Sequence, residues 1–271
     1  MRVKARNEWT AIADPRAASG FNDPRAYDRG RPSFPRHALA RIVSELELEK
    51  TSRVLDLAAG TGKLSCLLVE LVGEVVAVDP SRAMLAVLAE RLPECKTRLG
   101  TAEAIPLADG SVDAVFVAEA FHWFRTAEAS HEIVRVLRSN GHLVLVWQRP
   151  NWDRADLPWL DEFDRLMEPL FAASERLAGP HPNLDKRWKS ELAALELFDR
   201  PSSFEVDFVH RLGREDFVAL VSSWSWIAIL PAEQRKSVLT SVRELVAGRG
   251  PLTLRYRTEI QWTRPRRPDE S

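Results

Sequence analysis

The chain has little of what marks secreted, membrane-spanning or nucleic-acid-binding proteins. Its two cysteines, Cys66 and Cys95, fit neither a metal-ligand spacing nor a disulfide framework, so we expect both to be reduced and structural. No run of about 18 apolar residues occurs and no signal-peptide pattern follows Met1, so we expect neither a membrane helix nor export. The formal net charge is −1, which predicts no general attraction to nucleic acid. These absences favour a cytoplasmic enzyme or binding protein.

Hydrophobic residues make up 45% of the 271 residues, and their pattern indicates short strands that alternate with helices. The predicted strands are 53–57, 75–79, 97–100, 113–119 and 143–147. The predicted helices between them are 62–72, 81–91 and 128–137, the last ended by Asn140-Gly141. Such short alternation predicts a parallel sheet covered by helices on both faces.

The pattern changes after Gln148, where prolines interrupt several helical pieces. We interpret residues 150–200 as a helical cap. The remaining elements are a predicted strand over 204–212, a helix over 214–229 that carries Trp224 and Trp226, a helix over 232–247 and a strand over 253–263. We expect the whole chain, 1–271, to form a single domain.

Residues 21–36 are rich in aromatic residues, arginine and proline. They contain too many prolines for a regular element, so we expect a segment that lies over a site. The next stretch, 37–46, places leucine, isoleucine and valine on one helical face and predicts an amphipathic helix. Residues 21–46 therefore form a predicted N-terminal strap and helix.

The stretch 53–63 carries the strongest functional signal. An apolar strand reaches Asp56, a turn of small residues runs from Ala58 to Gly62, and an amphipathic segment follows. Gly60 and Gly62 lack a Cβ and allow a nucleoside to approach the backbone closely. The acid stands at the carboxyl end of a strand, where open α/β sheets bind their ligands. The stretch predicts a nucleoside-binding turn.

Two nucleotide motifs compete for this turn. A phosphate-binding loop requires glycine at position 57 and serine or threonine at 64, and both positions hold leucine, which excludes it. A nicotinamide-dinucleotide fingerprint fits Gly60 and Gly62, with the small Ser65 at the third glycine position. Asp79, after the second strand, fits the acid that binds the ribose. The glycines alone therefore leave a dinucleotide open.

Four blocks, in order, resemble the class I S-adenosylmethionine (SAM)-dependent methyltransferases of the methyltransferase type 11 kind. The blocks are the turn 56–62, the second strand and following helix start 76–84, the loop 100–106, and the fourth strand with the residues after it, 113–124. The first glycine of the family's D-x-G-x-G-x-G turn is Ala58 here, which narrows the room beside the methionine part of SAM.

The resemblance implies a Rossmann-like, mostly parallel seven-stranded sheet in the order 3-2-1-4-5-7-6, with the last strand antiparallel. It also implies SAM as the cofactor and a role for each matching residue. Asp79 would accept hydrogen bonds from the ribose hydroxyls, and Asp56 would face the amino end of methionine. The implied cofactor-binding residues are Tyr27, Arg31, Asp56, Ala58, Gly60, Gly62, Asp79, Pro80, Met84, Ala102, Glu103, Glu119 and Ala120.

Within this set, Ala102 and Glu103 would border the adenine and Met84 would cover one of its faces. Glu119 and Ala120 would flank the methionine moiety. Simpler interpretations remain for the same residues: Asp79 as a helix cap, Glu103 as a solvated acid and Met84 as a core residue.

The strap carries Tyr27, Arg31 and Pro32 in a Y-x-x-x-R-P arrangement. This arrangement is similar to a subgroup that contains small-acid methyltransferases like trans-aconitate methyltransferase. The similarity implies that Tyr27 lies over the cofactor and that Arg31 holds its carboxylate. The other interpretation is a strap packed on the sheet with a surface arginine.

Methyl transfer is an in-line displacement in which positioning and desolvation supply most of the help. Trp123, Phe121 and Tyr27 are candidates to line the space beside the sulfonium, because aromatic faces attract cations. His122 is the candidate general base, or else a histidine that only packs near the cofactor. We expect no metal site, since the other five histidines belong to no constellation: His37, His131, His142, His181 and His210.

Trp224 and Trp226, with the cap, predict a small and partly apolar acceptor pocket. The sequence therefore predicts a SAM-dependent methyltransferase that acts on a small molecule, with no nucleic-acid or membrane partner. The alternative is a SAM-binding regulatory or partner protein without transferase activity. The sequence indicates neither the accepting atom, O, N, C or S, nor the oligomeric state.

Overall fold

The computed structural model describes residues 23–266, so the first two residues of the predicted strap, Phe21 and Asn22, lie outside the described range. Seven strands form one sheet in the order β3-β2-β1-β4-β5-β7-β6, which confirms the predicted order. The strands are β1 Arg53–Leu57, β2 Glu74–Asp79, β3 Lys96–Leu99, β4 Val112–Ala118, β5 Leu137–Pro150, β6 Ser202–Leu212 and β7 Leu252–Thr263.

Strands β1 to β5 pair in parallel, and β7 runs antiparallel to both of its neighbours, β5 and β6. The helices are α1 Pro24–Gly30, α2 Arg36–Glu45, α3 Ser65–Leu68, α4 Arg82–Arg91, α5 Thr126–Val136, α6 Leu160–Ala178, α7 Pro182–Asp185, α8 Arg187–Ala194, α9 Arg214–Ser222, α10 Ser225–Ala228 and α11 Ala232–Leu245. A short 3₁₀ helix covers Phe121–Trp123.

Both faces of the sheet are covered, as the predicted α/β fold requires. One core layer contains Leu39, Leu88 and Phe116, and the layer on the other face contains Val115 and Ile133. The central strands are apolar along their length because they are buried on both sides. This packing fixes the carboxyl ends of β1, β2 and β4 side by side.

A third apolar cluster joins the helices that follow β5 to those that follow β6. Phe163 of α6, Phe217 of α9 and Val242 of α11 are buried in it. Helix α6 lies in the segment predicted as the cap, and this cluster packs it against the helices that follow β6.

The strap contains a helix, contrary to the expectation that its prolines exclude a regular element. Pro24 occupies the first turn of α1, where a missing N–H removes no hydrogen bond. The side chain of Asp23 caps the same end by accepting a hydrogen bond from the N–H of Ala26 at 2.9 Å. The remaining prolines follow the helix and leave it intact.

Three other predicted helices differ in extent. The helix predicted over 62–72 is only α3, because bonds such as Leu71 N–H to the Leu68 carbonyl tighten its flanks into turns. Asn140-Gly141 lies inside β5 and does not end α5, which stops at Val136. The helix predicted over 214–229 breaks into α9 and α10, with Trp224 extended between them.

Candidate active site

Two adjoining cavities open at the carboxyl ends of β1, β2 and β4. The larger has a volume of about 390 Å³ and the smaller about 90 Å³. Six residues line both cavities: Tyr27, Ala58, Gly60, Ala118, Glu119 and Trp123. The two spaces therefore meet at the turn after β1, under the strap helix α1.

The turn after β1 leaves open space where a ligand would lie. Ala58 and Gly60 both have left-handed backbone, with φ of +60° and +56°. A Cβ built on Gly60 would meet no atom within 4 Å, so the turn faces open space at this point. Left-handed φ at Ala58 explains why the family pattern has glycine there.

Gly62 lies in a different environment from the other residues of the turn. Its φ is +81°, and a Cβ there would stand 2.6 Å from Cγ of Leu88 in α4. Gly62 is not among the described residues that line either cavity. The close approach predicted between Gly62 and the cofactor is instead an approach between the turn and helix α4.

Asp79 is buried at the end of β2 and holds the turn in place. One carboxylate oxygen accepts a hydrogen bond from the Gly60 N–H at 2.8 Å, and the other accepts one from the Ser81 N–H at 2.8 Å. Burial raises the pKa of Asp79 to about 6, against the lowering effect of these two bonds. The residue lines the smaller cavity.

Asp56 is buried below the turn and lines the larger cavity. The hydroxyl of Ser65 donates a hydrogen bond to its carboxylate at 2.6 Å. Desolvation raises the pKa of Asp56 to about 7, and the Ser65 bonds oppose that shift. Its side chain therefore contacts α3 as well as the cavity.

The smaller cavity collects the residues that the sequence assigned to adenine. Met84, Ala102 and Glu103 line it, together with Pro80 and with Ala120, which the sequence assigned to the methionine part. Five further lining residues had no sequence assignment: Leu57, Gly100, Thr101, Ala118 and Phe124. Glu103 is not simply solvated, because its carboxylate accepts a hydrogen bond from the Arg125 N–H at 3.0 Å.

Glu119 stands at the junction of the two cavities. Its backbone is left-handed, with φ of +55°, which is uncommon for a residue with a long side chain. Residues with such strained backbone are found preferentially at functional sites. The Gln148 N–H donates a hydrogen bond to its carboxylate. Burial raises the pKa of Glu119 to about 7.

The strap helix brings Tyr27 and Arg31 to the site. Tyr27 lines both cavities, and Arg31 lines the larger one with its guanidinium 5.4 Å from the Tyr27 ring centroid. Arg31 donates two hydrogen bonds to Ser223, from Nε to Oγ at 2.8 Å and from Nη2 to the carbonyl oxygen at 2.9 Å. Arg31 is thus half-buried and bonded to the residue that follows α9.

Asp28 fastens the strap helix to the turn and to α4. Its carboxylate accepts hydrogen bonds from the Thr61 hydroxyl at 2.9 Å and from Arg91 at 2.8 Å. Lys63 lies 3.6 Å from the same carboxylate. These contacts hold α1 over the point where the two cavities meet.

The larger cavity is lined by His122, the candidate general base, and by Trp123, Trp224 and Trp226, the candidate substrate-binding residues. It also contains residues without a sequence signal: Gln148, Phe171, His181, Ser225 and Tyr256.

His181 belongs to a constellation, contrary to the sequence analysis. Its Nε2 lies 3.1 Å from Oγ of Ser225, and its ring centroid lies 5.9 Å from that of His122. Phe121, expected beside the sulfonium, is instead fully buried against Phe124 and Trp188. Among residues 23–266, no His, Cys, Asp and Glu side chains group as a metal site.

Comparison with known proteins decides the family. A sequence model of a methyltransferase domain matches residues 55–145. An uncharacterised methyltransferase of Mycobacterium tuberculosis is 39% identical over 226 residues, which cover 82% of this chain and 83% of that protein. The chain belongs to the class I SAM-dependent methyltransferases.

Two further comparisons, one of sequence and one of structure, agree with the assignment of this chain to the methyltransferases. An uncharacterised methyltransferase of Schizosaccharomyces pombe is 32% identical over 222 residues, covering 81% of this chain and 84% of that protein. The structure of a candidate type II methyltransferase from Anaeromyxobacter dehalogenans superposes with a TM-score of 0.64 at 24% identity, covering 86% of this chain and 97% of that one. The structural likeness shows a shared fold.

The residues of the methyltransferase fit SAM, its cofactor. Gly60 leaves open space beside the turn, and the buried carboxylate of Asp79 lies at the edge of the smaller cavity. No lysine or arginine is among the described residues that line this smaller cavity, as expected for a nucleoside without phosphate. A dinucleotide, which the glycine pattern alone would allow, would bring two phosphates to a cavity whose described lining has neither of these cations. In the described part of the chain, no helix is long and apolar enough to span a membrane.

Proposed function

We propose that this methyltransferase transfers the methyl group of SAM to a small molecule that binds in the larger cavity. The observation that carries the proposal is the junction of the two cavities at Tyr27, Gly60, Glu119 and Trp123. A volume of about 390 Å³ is at the lower end of the range typical of small-ligand sites. We also propose that the chain is one domain, with the cap over this junction.

In this proposal the smaller cavity holds the adenosine part of SAM. Asp79 accepts the ribose hydroxyls, since a carboxylate has several acceptor positions and only one N–H reaches each of its oxygens here. Pro80, Met84, Ala102 and Glu103 border the adenine.

The methionine part extends from the smaller cavity toward the larger one. Ala58, Gly60, Glu119 and Ala120 border it, and Asp56 faces its amino end from below the turn. Arg31 has its Nε and Nη2 on Ser223, so a contact with the methionine carboxylate falls to Nη1.

Bound SAM supplies a methyl group that is already activated by the sulfonium. The chain has to position the acceptor and exclude water. Tyr27 and Trp123 line both cavities and present aromatic faces where the positive charge would lie. His122, which the sequence offered as a candidate general base or as a packing histidine, also lines the larger cavity.

A methyl-transfer screen tests the proposal. The protein is incubated with SAM and panels of carboxylic acids, phenols, alcohols and amines, and S-adenosylhomocysteine is measured. We expect product with at least one panel, and a Trp224→Leu variant that raises the acceptor KM while the Kd for SAM stays constant. The matched control is Trp262→Leu, because Trp262 packs on Phe204 at the sheet edge and lines neither cavity. Saturable SAM binding without product in any panel would overturn the proposal.

A further inference from the structure

The larger cavity has two aromatic walls. In the tryptophan wall, Trp224 and Trp226 stack with ring centroids 5.3 Å apart, and Phe171 meets Trp226 edge-on at 5.4 Å. In the histidine wall, Trp123 contacts His122 at 4.5 Å and His181 edge-on at 5.4 Å. All six rings line the same cavity. Such walls favour a planar aromatic ligand, whose faces and edges match theirs.

The two walls meet at one hydrogen bond. Ser225 lies between the two tryptophans in the chain, and its Oγ is 3.1 Å from Nε2 of His181. Both side chains are largely buried yet line the cavity. A hydroxyl and an imidazole therefore stand together where the aromatic surfaces converge.

The permanent positive charges of the cavity are already engaged. Arg31 and Lys63 are the arginine and lysine among its described lining residues. Arg31 donates two hydrogen bonds to Ser223 and, in the proposed function, gives its Nη1 to the methionine carboxylate, while Lys63 lies 3.6 Å from Asp28. An acidic acceptor would call for a free bidentate cation, so this lining favours a neutral one.

A neutral oxygen nucleophile has to lose a proton as it takes the methyl group. We propose that the acceptor is a planar aromatic molecule with an ionisable hydroxyl, and that Ser225 and His181 take its proton. The inference rests on the proposed function and specifies its substrate class. It assigns the proton to His181 and not to His122, because Nε2 of His181 lies 3.1 Å from Oγ of Ser225, a hydroxyl that lines the same cavity.

The step balances with SAM as the other reactant. The acceptor oxygen forms a bond to the methyl carbon, the carbon–sulfur bond breaks, and the sulfur keeps the electron pair. The phenolic proton passes to Oγ of Ser225 as the Ser225 proton passes to Nε2 of His181. The products are an aryl methyl ether, S-adenosylhomocysteine and a protonated imidazole.

The first experiment measures binding, which does not depend on the chemistry. The protein with S-adenosylhomocysteine bound is titrated with 4-methoxyphenol, 4-methoxycyclohexanol and benzoate. We expect the phenol to bind about tenfold more tightly than the saturated ring, which matches the upper range of aromatic pairing energies. Equal or tighter binding of 4-methoxycyclohexanol or of benzoate would overturn the aromatic, neutral assignment.

The second experiment separates proton removal from structural effects. Turnover of 4-methoxyphenol, which is un-ionised at neutral pH, is compared with turnover of 2,6-dichloro-4-nitrophenol, which is already ionised. In Ser225→Ala and His181→Asn we expect kcat for the first to fall by about 100-fold and for the second by less than about tenfold. Equal losses for both substrates would mean a structural role and overturn the proton assignment.

Three variants serve as controls. Ser225→Thr keeps the hydroxyl and is expected to retain most of the turnover of 4-methoxyphenol. Ser222→Ala removes a hydroxyl that bonds to the Ala219 carbonyl outside the cavity, and both phenols should react as in the parent. His122→Asn should slow both phenols by the same factor. Transfer to carboxylates or amines but to no phenol would overturn this inference and leave the proposed function standing, whereas no transfer to any small molecule would overturn the proposed function itself.

Discussion

Arg31 donates hydrogen bonds to both the hydroxyl and the carbonyl oxygen of Ser223, 192 positions further along the chain. Arg31 directly follows the strap helix α1, and Ser223 directly follows α9. The guanidinium of Arg31 thus hydrogen-bonds the Ser223 carbonyl at the point where α9 has ended and Trp224 adopts an extended backbone. The strap is thereby bonded to the residue before Trp224, and Trp226 follows in α10.

Removing this connection should weaken the molecule and the acceptor site together. We expect Arg31→Ala to lower the free energy of unfolding by about 2–3 kcal/mol, because two hydrogen bonds from a charged, partly buried group are lost. The acceptor KM should also rise. Urea denaturation and steady-state kinetics measure the two effects.

The matched control for Arg31 lies two residues earlier, in the last turn of α1. Arg29 forms an exposed ion pair with Asp216 at 3.4 Å. Such pairs contribute about 0–1 kcal/mol, so Arg29→Ala should change little. Similar losses in both variants would show that the Ser223 contact has no special role.

Gly30 allows the strap helix to lie directly against α9. A Cβ on Gly30 would stand 2.2 Å from the backbone nitrogen of Leu220. A side chain could rotate away from such a clash, but the backbone of α9 cannot. We expect Gly30→Ala to destabilise the protein by about 2–3 kcal/mol, the upper range for overpacking. It should also weaken SAM binding, since Tyr27 moves with α1. Thermal unfolding and calorimetric titration with SAM measure both.

Gly213→Ala is the control for this substitution. The nearest atom to a Cβ there is Oδ2 of Asp216 at an ordinary 3.6 Å, and φ is −74°. We expect a change in stability below about 1 kcal/mol and unaltered SAM affinity. An unaffected Gly30→Ala protein would contradict the packing of α1 on α9.

Asp79→Asn tests the proposed ribose contact. The amide oxygen can keep one of the two backbone hydrogen bonds, so the fold should persist while the charge is lost. We expect SAM to bind about 10- to 100-fold more weakly, as for the loss of hydrogen bonds to a charged acceptor. Asp109→Asn, in an exposed loop, is the control. Parent-like affinity in Asp79→Asn would refute the assignment.

Glu119 should make stability depend on pH in a predictable direction. Its pKa is raised in the folded protein to about 7 from 4.5, so the folded state holds a proton that the unfolded state has released between these values. Ionisation of the buried carboxyl thus destabilises the fold as pH rises through this window. Compared with the parent, Glu119→Gln should gain up to about 3 kcal/mol of stability between pH 5 and pH 8.

Urea denaturation at several pH values measures this difference. Glutamine keeps an oxygen for the Gln148 N–H, so the variant changes the charge and little else. The exposed Glu162 in α6 supplies the control, and its glutamine variant should differ from the parent by a constant amount. A constant difference for Glu119→Gln as well would contradict the buried, protonated state.

The sheet was predictable because its central strands are buried on both faces and appear as uninterrupted apolar runs. The smaller cavity was predictable for a related reason, since its residues follow those strands at short distances in sequence. Gly62 shows the limit of such patterns: a glycine that faces a ligand and a glycine that faces Leu88 have the same sequence signature. Only the three-dimensional neighbour distinguishes them.

The arrangement of the larger cavity could not be predicted in the same way, because it depends on contacts between segments that are distant in sequence. His181 lies between two prolines in the segment predicted as the cap, and its hydrogen-bond partner Ser225 is 44 positions away, so no local spacing joins them. At the break before Trp224, Ser223 is hydrogen-bonded to Arg31, and helical periodicity around 214–229 carries no information about that distant residue. Sequence composition predicted that tryptophans line a pocket, but not that a serine and a histidine stand between them.

The fate of a labelled methyl group tests the central claim most directly. The protein is incubated with SAM that carries a trideuterated methyl group and with the acceptor that gave most product in the screen, and both products are followed by mass spectrometry. We predict a small molecule that carries the trideuteromethyl group, formed in equal amount to S-adenosylhomocysteine. Label found only on a macromolecule, or on no product while SAM remains bound, would contradict the account.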